Sequence, residues 1–349
     1  MVNNMSKEIT IYSQNFKPDN EAVSKEINVI LENINGKNVL KLWNIDFNKI
    51  KFKFTPKKIS YYFLGHILLL PKLIFNSRKG FNHIYTSLGD TLFLPFISKY
   101  NTILTSGANC IFDKQKIMRR KKYLDKIKLI IIETELEKNK LEEWGFNKNK
   151  IKLIRQGVNL KHFKYKKEKE FKVLFATSPP KKNKFEERGI YLLLDVVQEM
   201  KNTKFVFVWR NKHYKKLMFE VKKRNIKNLE IINQQTNMKK IYENISCTIV
   251  PFTKFDNHHK LIPLTLIESL ASGKPIISTN KTDMVNIVNK EKIGLITNPD
   301  KLSLINAINN LKENYEQYQK NCERTAKKYF DEKIFLKKYK KIYQEMKKI

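Results

Sequence analysis

Short apolar segments rich in β-branched residues alternate with mixed segments along the first half of the chain. The segment KLIIIETE at 128–135 is almost entirely apolar, as is typical of a parallel strand that is buried on both faces. A helix is predicted from Ala22 to Asn35, between the first two strands. The other predicted strands of this half are EITIYSQ (8–14), NVLKLWNI (38–45), HIYTSL (83–88), NTILTSGA (101–108) and KIKLIRQGV (150–158). Such alternation predicts a doubly wound α/β layer.

The same pattern begins again after the charged segment KYKKEKE at 164–170. The segment FKVLFATS at 171–178 is the predicted first strand of the second half, and the helix GIYLLLDVVQEM (189–200) follows it. Later strands are predicted for KFVFVWRN (204–211), NLEIINQ (228–234), SCTIVPF (246–252), KPIISTN (274–280) and GLITNP (294–299). A second α/β layer is therefore expected.

Two α/β domains of similar size follow from this restart of the pattern. We expect an N-terminal domain over residues 1–165 and a C-terminal domain over residues 166–325. The last segment, 326–349, is expected to form a helix that packs back toward the N-terminal domain. Because open parallel sheets bind ligands at the carboxyl ends of their strands, the cleft between the two domains is the predicted ligand site.

The composition is strongly basic. The chain has 69 Lys and Arg residues against 34 Asp and Glu residues, which gives a formal net charge of +35 over 349 residues. Such a charge attracts polyanions, including nucleic acid, anionic lipid and phosphorylated ligands. The basic residues are spread over the whole chain, unlike the compact block of a nucleic-acid-binding tail, and no nucleic-acid-binding module is recognised. A nucleic-acid-binding protein is therefore an alternative interpretation, and no nucleic-acid partner is expected.

The cysteines and the N-terminus indicate the cellular compartment. Cys110, Cys247 and Cys322 lie far apart and form no metal-spaced pair, so we expect reduced thiols and no metal. The N-terminus has no signal-peptide pattern, which favours a cytoplasmic protein.

Residues 59–75, ISYYFLGHILLLPKLIF, form the longest apolar stretch. His66 and Pro71 interrupt it, and it falls short of the roughly 20 apolar residues that a membrane span needs. It is predicted to be either a core helix or an interfacial helix on anionic lipid, because basic residues flank it. A second basic patch comprises Arg119, Arg120, Lys121 and Lys122. Together they favour peripheral binding to the inner face of the cell membrane.

Glu268 is a single carboxylate inside the apolar segment LIPLTLIESLA. A lone Glu on an apolar helix usually faces solvent, but here Leu264, Leu266 and Ile267 precede it and Leu270 follows it. A carboxylate near a helix start can accept two hydroxyl hydrogen bonds, as a ribose diol offers. The backbone N–H groups of the same helix start can hold a phosphate. One segment can thus bind both ribose and diphosphate.

Three segments resemble motifs of one family. PLTLIESLASGKPII (263–277) is similar to the signature P-x-x-x-x-E-A-x-A-x-G-x-P-V-I of the retaining GT-B glycosyltransferases of family 4. NKIKLIRQGVNLKHF (149–163) resembles the interdomain segment of that superfamily, and RGIYLLLDVV (188–197) resembles its K-G-x-x-x-L-L-x-A helix start. The three motifs occur in the family's order and cover most of the C-terminal half. The resemblance implies the GT-B architecture, in which two Rossmann-like domains face each other across a cleft.

The resemblance also implies roles for individual residues. Glu268 would bind the ribose of a nucleotide-sugar, and the backbone N–H groups of Leu264 and Thr265 would bind its diphosphate. Arg188 stands where the family has a diphosphate-binding Lys. Gln234, within residues 232–235, would frame the base, and Asn15, in the loop after the first strand, would approach the acceptor.

The chain departs from the family pattern at several positions. The family carries a second Glu eight positions before Glu268, near the transferred sugar, and this chain has Lys260 there. Lys260 is therefore a candidate catalytic residue that could pair with a donor phosphate or with the carboxylate of a uronic-acid donor. Ser106, before Gly107, replaces a His that lies beside the donor sugar in many relatives, so Ser106 is a candidate catalytic residue, and both residues are candidates on the acceptor side. The neighbouring Asp256, His258 and His259 are alternatives to Lys260.

Two loops of the C-terminal half also differ from the family. A Lys-rich loop replaces the usual Gly-Arg pair after the strand at 171–178, and Lys184, Lys181 or Lys182 could supply the missing cation. Trp209 and Arg210 replace a glycine-rich turn, and Arg210 could reach phosphate.

The resemblance implies an enzyme of the hexosyltransferase type that retains configuration. Fixed cations and N–H groups would stabilise the leaving diphosphate, so no metal and no cofactor are expected, and the cleft segments contain no Asp-x-Asp motif. The co-substrate would be a UDP- or GDP-sugar, and the acceptor a lipid-linked glycan or polysaccharide at the membrane surface. The change to Lys260 leaves one alternative, a catalytically silent relative that acts as a binding protein.

Overall fold

The computed structural model describes residues 8–13, 22–34, 37–41, 70–71, 74–75, 80–86, 88, 94–107, 114–179, 181–255 and 261–348. Their contacts divide the chain into two compact units. The N-terminal unit comprises residues 1–156 and 334–349, and the C-terminal unit comprises residues 157–333.

The N-terminal unit contains a six-stranded parallel sheet with the order β2-β1-β3-β4-β5-β6. Its strands are β1 (Glu8–Ser13), β2 (Lys37–Lys41), β3 (Gly80–Thr86), β4 (Thr102–Ser106), β5 (Leu129–Ile132) and β6 (Ile151–Leu153). The described helices between them are α1 (Ala22–Asn33), α2 (Leu94–Ile97), α3 (Lys114–Leu124) and α4 (Glu135–Glu143). The Thr134 side chain caps the start of α4, because its hydroxyl accepts the N–H of Glu137 at 3.1 Å and donates to the Glu137 carboxylate at 3.0 Å.

The C-terminal unit contains a second six-stranded parallel sheet, with the order β12-β11-β10-β7-β8-β9. Its strands are β7 (Lys172–Phe175), β8 (Lys204–Val208), β9 (Leu229–Ile232), β10 (Cys247–Val250), β11 (Ile276–Thr279) and β12 (Gly294–Thr297). Its helices are α5 (Lys184–Glu187), α6 (Ile190–Glu199), α7 (Tyr214–Lys223), α8 (Met238–Glu243), α9 (Leu264–Ala271), α10 (Val285–Glu291), α11 (Lys301–Glu313) and α12 (Tyr315–Tyr329). The final helix, α13, spans Glu332–Lys348.

Helices cover both faces of the C-terminal sheet, as the doubly wound pattern requires. On one face, α6 and α11 pack on the alternate side chains Val173, Phe175, Phe205 and Phe207 of β7 and β8. The opposite side chains of the same strands, including Leu174 and Val206, pack against Tyr242 of α8. The strands are therefore apolar on both faces, which explains the near-continuous apolar runs of the sequence.

The helix α13 packs on the N-terminal sheet. Its buried residues Phe335, Tyr339, Ile342, Tyr343 and Met346 share a core with the side chains of β1 and β3. The described part of the C-terminal segment thus belongs to the N-terminal unit from residue 334 onward.

The division between the units lies at Gln156, whereas the sequence places the boundary at residue 165. Residues 157–165 belong to the C-terminal unit, where Val158 forms a β-bridge with Asp331. Gly157 is required there, because a Cβ at this position would lie 2.6 Å from the Cα of Glu332. The charged segment 164–170 also contacts this unit, since the amine of Lys274 donates to the Lys166 carbonyl at 2.5 Å.

Within the described residues, no helix is both long enough and apolar enough to cross a membrane. Of the apolar stretch 59–75, only residues 70–71 and 74–75 are described, so its prediction as a core or interfacial helix lies outside the described residues. Cys247 and Cys322 are buried free thiols.

Candidate functional site

The strand order of the C-terminal unit defines a crevice at the carboxyl edge of its sheet. The chain moves from β7 to β8 and β9 on one side, and then to β10, β11 and β12 on the other side. The order therefore reverses between β7 and β10. The loops that follow these two strands separate there, and ligands of open α/β sheets bind at such a point.

Arg188 lies at this crevice. The short helix α5 follows the loop after β7 and ends at Glu187. Arg188 is its C-cap residue, and its backbone N–H donates to the Lys184 carbonyl at 3.1 Å. The side chain is 7% exposed. Its guanidinium donates to the hydroxyl of Thr177, after β7, at 2.6 Å and lies 5.4 Å from the ring centre of Phe252, after β10. A buried cation thus joins the two loops that flank the crevice.

Gly189 fixes the position of this arginine. Its backbone has a left-handed φ of +65°, and a Cβ would lie 1.7 Å from the Pro251 carbonyl oxygen, so only glycine fits. The N–H of Thr253 donates to the Glu187 carbonyl at 3.0 Å, which holds the same turn against the end of β10. The Arg-Gly pair of the sequence therefore places a cation beside β10 because the glycine allows close backbone contact.

Lys184 is engaged within its own helix. Its amine forms an ion pair with the carboxylate of Glu187, and both side chains are largely buried. This pair neutralises part of the charge that Lys184 could offer to a ligand. Lys181 and Lys182, the alternative cations of the loop, are exposed.

The helix α9 begins after β10 and carries Glu268 in its second turn. Pro263 precedes the helix, and Leu264 and Thr265 are its first two residues. The first N–H groups of any helix have no partner within the helix and carry partial positive charge, and in α9 these include the N–H groups of Leu264 and Thr265. Glu268 is only 6% exposed, so this carboxylate is buried instead of facing solvent.

Tyr242 contacts both parts of this helix start. It lies on α8 and is fully buried, and its hydroxyl is 3.0 Å from the Thr265 carbonyl oxygen and 3.2 Å from Oε2 of Glu268. Burial raises the pKa of Tyr242 well above its usual value, and the charge of Glu268 and the hydrogen bond to it raise it further. The phenol is therefore neutral at physiological pH and acts as a donor. No sequence pattern indicates Tyr242, because no spacing rule connects it to Glu268.

The loops after β8 and β9 contain the remaining predicted donor-site residues. Arg210 is exposed directly after the buried Trp209, and its backbone N–H donates to the Ser178 hydroxyl at 2.9 Å. Gln234 is exposed after β9, next to Asn233, whose side chain accepts the backbone N–H of Asn211 at 2.9 Å. The structure thus brings the loops after β7, β8 and β9 together at the carboxyl edge.

Ser106 and Gly107 lie in the N-terminal unit, at the carboxyl end of β4. Ser106 is buried, and the N–H of Gly107 donates to the Thr86 carbonyl of β3 at 3.2 Å. Two predicted site residues, Asn15 and Lys260, lie outside the described residues, as do Asp256, His258 and His259.

A metal site does not emerge from the part of the chain that the structure describes. No group of three or more His, Cys, Asp and Glu side chains there is arranged to hold an ion. Among the described residues at this edge, the Arg188 guanidinium is a buried cation and the start of α9 carries partial positive charge.

Solved structures share this two-sheet architecture. HepE of Anabaena in complex with UDP matches with a TM-score of 0.74 at 13% identity, over 97% of this chain and 100% of that chain. Sucrose-phosphate synthase from Thermosynechococcus elongatus matches with a TM-score of 0.73 at 15% identity, over 97% and 99% of the two chains. The lipopolysaccharide outer core galactosyltransferase WaaB in its apo form matches at 0.68 and 14% identity, over 95% and 98%. The chain therefore has the GT-B fold, as the sequence predicts.

The family follows from a separate comparison. Residues 158–329, nearly the whole C-terminal unit, match the model of the family "Glycosyl transferases group 1". No curated protein matches the chain by sequence. The C-terminal unit therefore matches the glycosyl transferases group 1 family, in agreement with the glycosyltransferase motifs of the sequence. Membership of family 4 and retention of configuration stay predictions.

Proposed function

We propose that this glycosyltransferase moves a hexose, with retained configuration and without a metal ion, from a UDP- or GDP-sugar to a lipid-linked or polysaccharide acceptor at the membrane surface. The observation that carries the proposal is the buried carboxylate of Glu268 in the second turn of α9, a helix that begins after β10. A buried carboxylate needs hydrogen-bond donors. The hydroxyls of a ribose supply two of them, while the start of the same helix binds the attached diphosphate.

Arg188 supports the same assignment. In retaining transfer, the diphosphate gains negative charge as the bond from its oxygen to the sugar carbon breaks. A cation that is already desolvated and oriented stabilises this charge strongly, because the surroundings need no rearrangement. The guanidinium of Arg188 is held by Thr177 and Phe252 at the crevice. Arg188 therefore binds the donor and stabilises the leaving group, and Arg210 and Lys184 contribute at most secondary charge.

The departing phosphate oxygen can take the proton of the acceptor hydroxyl on the face that it leaves. The new bond then forms on the same face, and the configuration of the sugar is retained. We assign Lys260 to the donor phosphate or to a carboxylate on the sugar, and Ser106 and Gly107, with Asn15, to the acceptor side. Gln234 contacts the base.

The N-terminal unit supports a membrane-bound acceptor. The helix α3 has the sequence KQKIMRRKKYL, and its Arg119 and Lys122 are exposed. Met118 on the same helix is 38% exposed, and Phe96 of α2 is 50% exposed. Cationic and apolar side chains together favour the surface of an anionic bilayer. We expect the protein to be retained on vesicles with 30% phosphatidylserine and not on vesicles of pure phosphatidylcholine. Equal retention on both would contradict binding to an anionic membrane surface.

The donor assignment is tested by thermal stabilisation with neutral and uronic UDP-, GDP- and ADP-sugars. A ligand at 100 times its Kd stabilises the folded chain by about 2.7 kcal/mol. We expect one nucleotide-sugar to stabilise the wild type and to leave Glu268→Gln unchanged. The matched control is Glu291→Gln, which alters another buried carboxylate of the same unit, bound to Lys328 and Tyr329 at 2.7 Å. That variant should melt earlier but keep the ligand-induced shift.

A catalytically silent relative is the second candidate, and the observation that favours it is Lys260 in place of the usual Glu. The two candidates differ in turnover. An active enzyme releases free nucleoside diphosphate from the stabilising sugar nucleotide, whereas a silent relative binds it and releases none. Stabilisation by no nucleotide-sugar at all would contradict both.

A further inference from the structure

Tyr242 lies where its ring cannot reorient. It is the fifth residue of the short helix α8, whose first turn is capped by the Asn237 side chain. The ring is fully buried among side chains of the strand cluster formed by Leu174, Val206, Val208 and Ile245. It also packs edge-on against Phe163, with ring centres 6.2 Å apart. The hydroxyl therefore has one fixed location.

The hydroxyl is directed at two acceptors of the same helix. The Thr265 carbonyl belongs to the first turn of α9, and the Glu268 carboxylate belongs to its second turn. A phenol has one proton, so this proton is shared between the two oxygens. The phenol thus fixes a carboxylate rotamer relative to the backbone of the helix start. A carboxylate can accept about four hydrogen bonds, so a phenol and a diol can be accommodated together.

We propose that Tyr242 is a positioning residue for the donor, which holds the Glu268 carboxylate in the rotamer that accepts the ribose hydroxyls. The inference rests on the proposed role of Glu268. Tyr242 itself touches no substrate. Its effect reaches the nucleotide through Glu268, and its bond to Thr265 keeps the ribose-binding carboxylate in register with the diphosphate-binding start of α9.

This role predicts a specific loss of ribose recognition. A correctly oriented carboxylate favours a ribonucleotide over a 2′-deoxyribonucleotide, because the missing hydroxyl leaves a buried acceptor without its donor. A carboxylate that rotates freely gains less from the ribose and discriminates less. The diphosphate and base contacts are the same for both nucleotides. The ratio of the two dissociation constants therefore reports on Glu268 alone.

The experiment measures Kd by calorimetry for UDP and 2′-deoxy-UDP, and for GDP and 2′-deoxy-GDP. The proteins are the wild type, Tyr242→Phe, Glu268→Gln and Tyr315→Phe. Tyr315 is the matched control, because its hydroxyl donates to the Ser246 carbonyl at 3.2 Å in the same unit but contacts no residue of α9 through this bond. The ratio measured on one preparation is independent of any unfolded fraction, so partial misfolding of a variant does not obscure the result.

We expect the wild type to prefer its ribonucleotide by about tenfold or more, as for a hydrogen bond to a charged group. Tyr242→Phe should reduce the preference to about threefold or less, close to Glu268→Gln, with little change in Kd for the deoxynucleotide. Tyr315→Phe should keep the full preference.

Three results would overturn the inference. If Tyr242→Phe keeps the wild-type preference, the tyrosine only packs the core. If Tyr242→Phe instead weakens the binding of both nucleotides by the same factor, the tyrosine supports the helix and not the carboxylate. If the wild type binds a nucleotide without preference for ribose, Glu268 does not bind the ribose. Binding of neither UDP nor GDP to the wild type would instead contradict the proposed function itself, and this inference with it.

Discussion

The two units bury polar groups in different places and in different states. The C-terminal unit keeps the cation of Arg188 and the carboxylate of Glu268 near the carboxyl edge of its sheet. The N-terminal unit buries His83 in the interior of β3, where Nε2 contacts the Thr105 hydroxyl at 2.8 Å and Nδ1 contacts the Tyr343 hydroxyl. The Tyr339 hydroxyl completes this network, 3.1 Å from that of Thr105.

The difference follows from the cost of burying charge. His83 has only neutral hydroxyl partners, and burial lowers its pKa from 6.5 to about 3, so the imidazole is neutral. Its network serves to attach α13 to the sheet. Arg188 and Glu268 are the two groups that the proposed function assigns to the nucleotide-sugar. We therefore interpret Arg188 and Glu268 as parts of the candidate site, and the neutral network of His83 as structural.

The largest effect is expected at Arg188. Arg188→Ala removes the desolvated cation and should lower kcat for release of nucleoside diphosphate by about 100-fold or more. Arg188→Lys keeps the charge but loses the planar fork, so a loss of about tenfold is expected. Steady-state rates with the stabilising donor measure both.

The control is Arg224→Lys, because Arg224 binds Asp195 and Glu220 on the helical surface of the same unit. Its kcat should match that of the wild type. An unchanged rate in Arg188→Ala would contradict the functional role that we assign to the buried cation of the C-terminal unit.

Gly189 is expected to give the next largest effect, on stability. Gly189→Ala forces a Cβ to within 1.7 Å of the Pro251 carbonyl and keeps a left-handed backbone, so a loss of about 3 kcal/mol or more is expected in urea denaturation. Gly145→Ala, in the N-terminal unit, has a similar φ of +78° but its nearest atom is 3.9 Å away. A loss of only about 1–2 kcal/mol is expected there. Equal losses in the two variants would show that the close contact between Gly189 and the Pro251 carbonyl does not restrict position 189.

The neutral state of His83 predicts acid sensitivity. The folded pKa lies below that of the unfolded chain, so the unfolded state binds the extra proton between about pH 6.5 and 3. The contribution of His83 is complete above pH 6.5 and decreases as the pH falls toward 3. In the wild type, we expect His83 to lower the free energy of unfolding by about 2–3 kcal/mol between pH 6.5 and 4.5.

His83→Gln cannot be protonated and should lose this part of the pH dependence, although it is less stable at pH 7. Urea midpoints measured for both proteins across the pH range give the comparison. Parallel curves would mean that His83 does not titrate on unfolding.

The smallest effects are expected for two threonines, one in each unit. Thr177→Val removes the hydroxyl that orients Arg188, so kcat should fall about tenfold with little change in stability. Thr105→Val removes the shared partner of His83 and Tyr339 and should lower the free energy of unfolding by about 1–3 kcal/mol. Activity and urea denaturation are measured on both. If the two variants exchanged their effects, the distinction between edge and interior would be wrong.

Much of the fold follows from local patterns. The apolar segment 128–135 contains β5, and 171–178 contains β7, since apolar residues on both faces specify a buried parallel strand. The predicted helix at 22–35 corresponds to α1. The unit boundary differed, because the charged composition of residues 164–170 hides their attachment to Lys274 in the C-terminal unit. Composition alone does not show which segments a fold will hold.

The sequence by itself determined the alternation of strands and helices, because this depends on local periodicity. It also determined the glycosyltransferase motifs that contain Arg188, Gly189 and Glu268, because these depend on spacing within one turn and helix. Only the tertiary structure decided their partners. Thr177, Phe252 and Tyr242 reach these residues across strands and loops, and His83 meets Tyr343 from 260 positions away. Such contacts arise from packing of the sheet and its helices, and no rule of sequence spacing specifies which distant side chains will meet there.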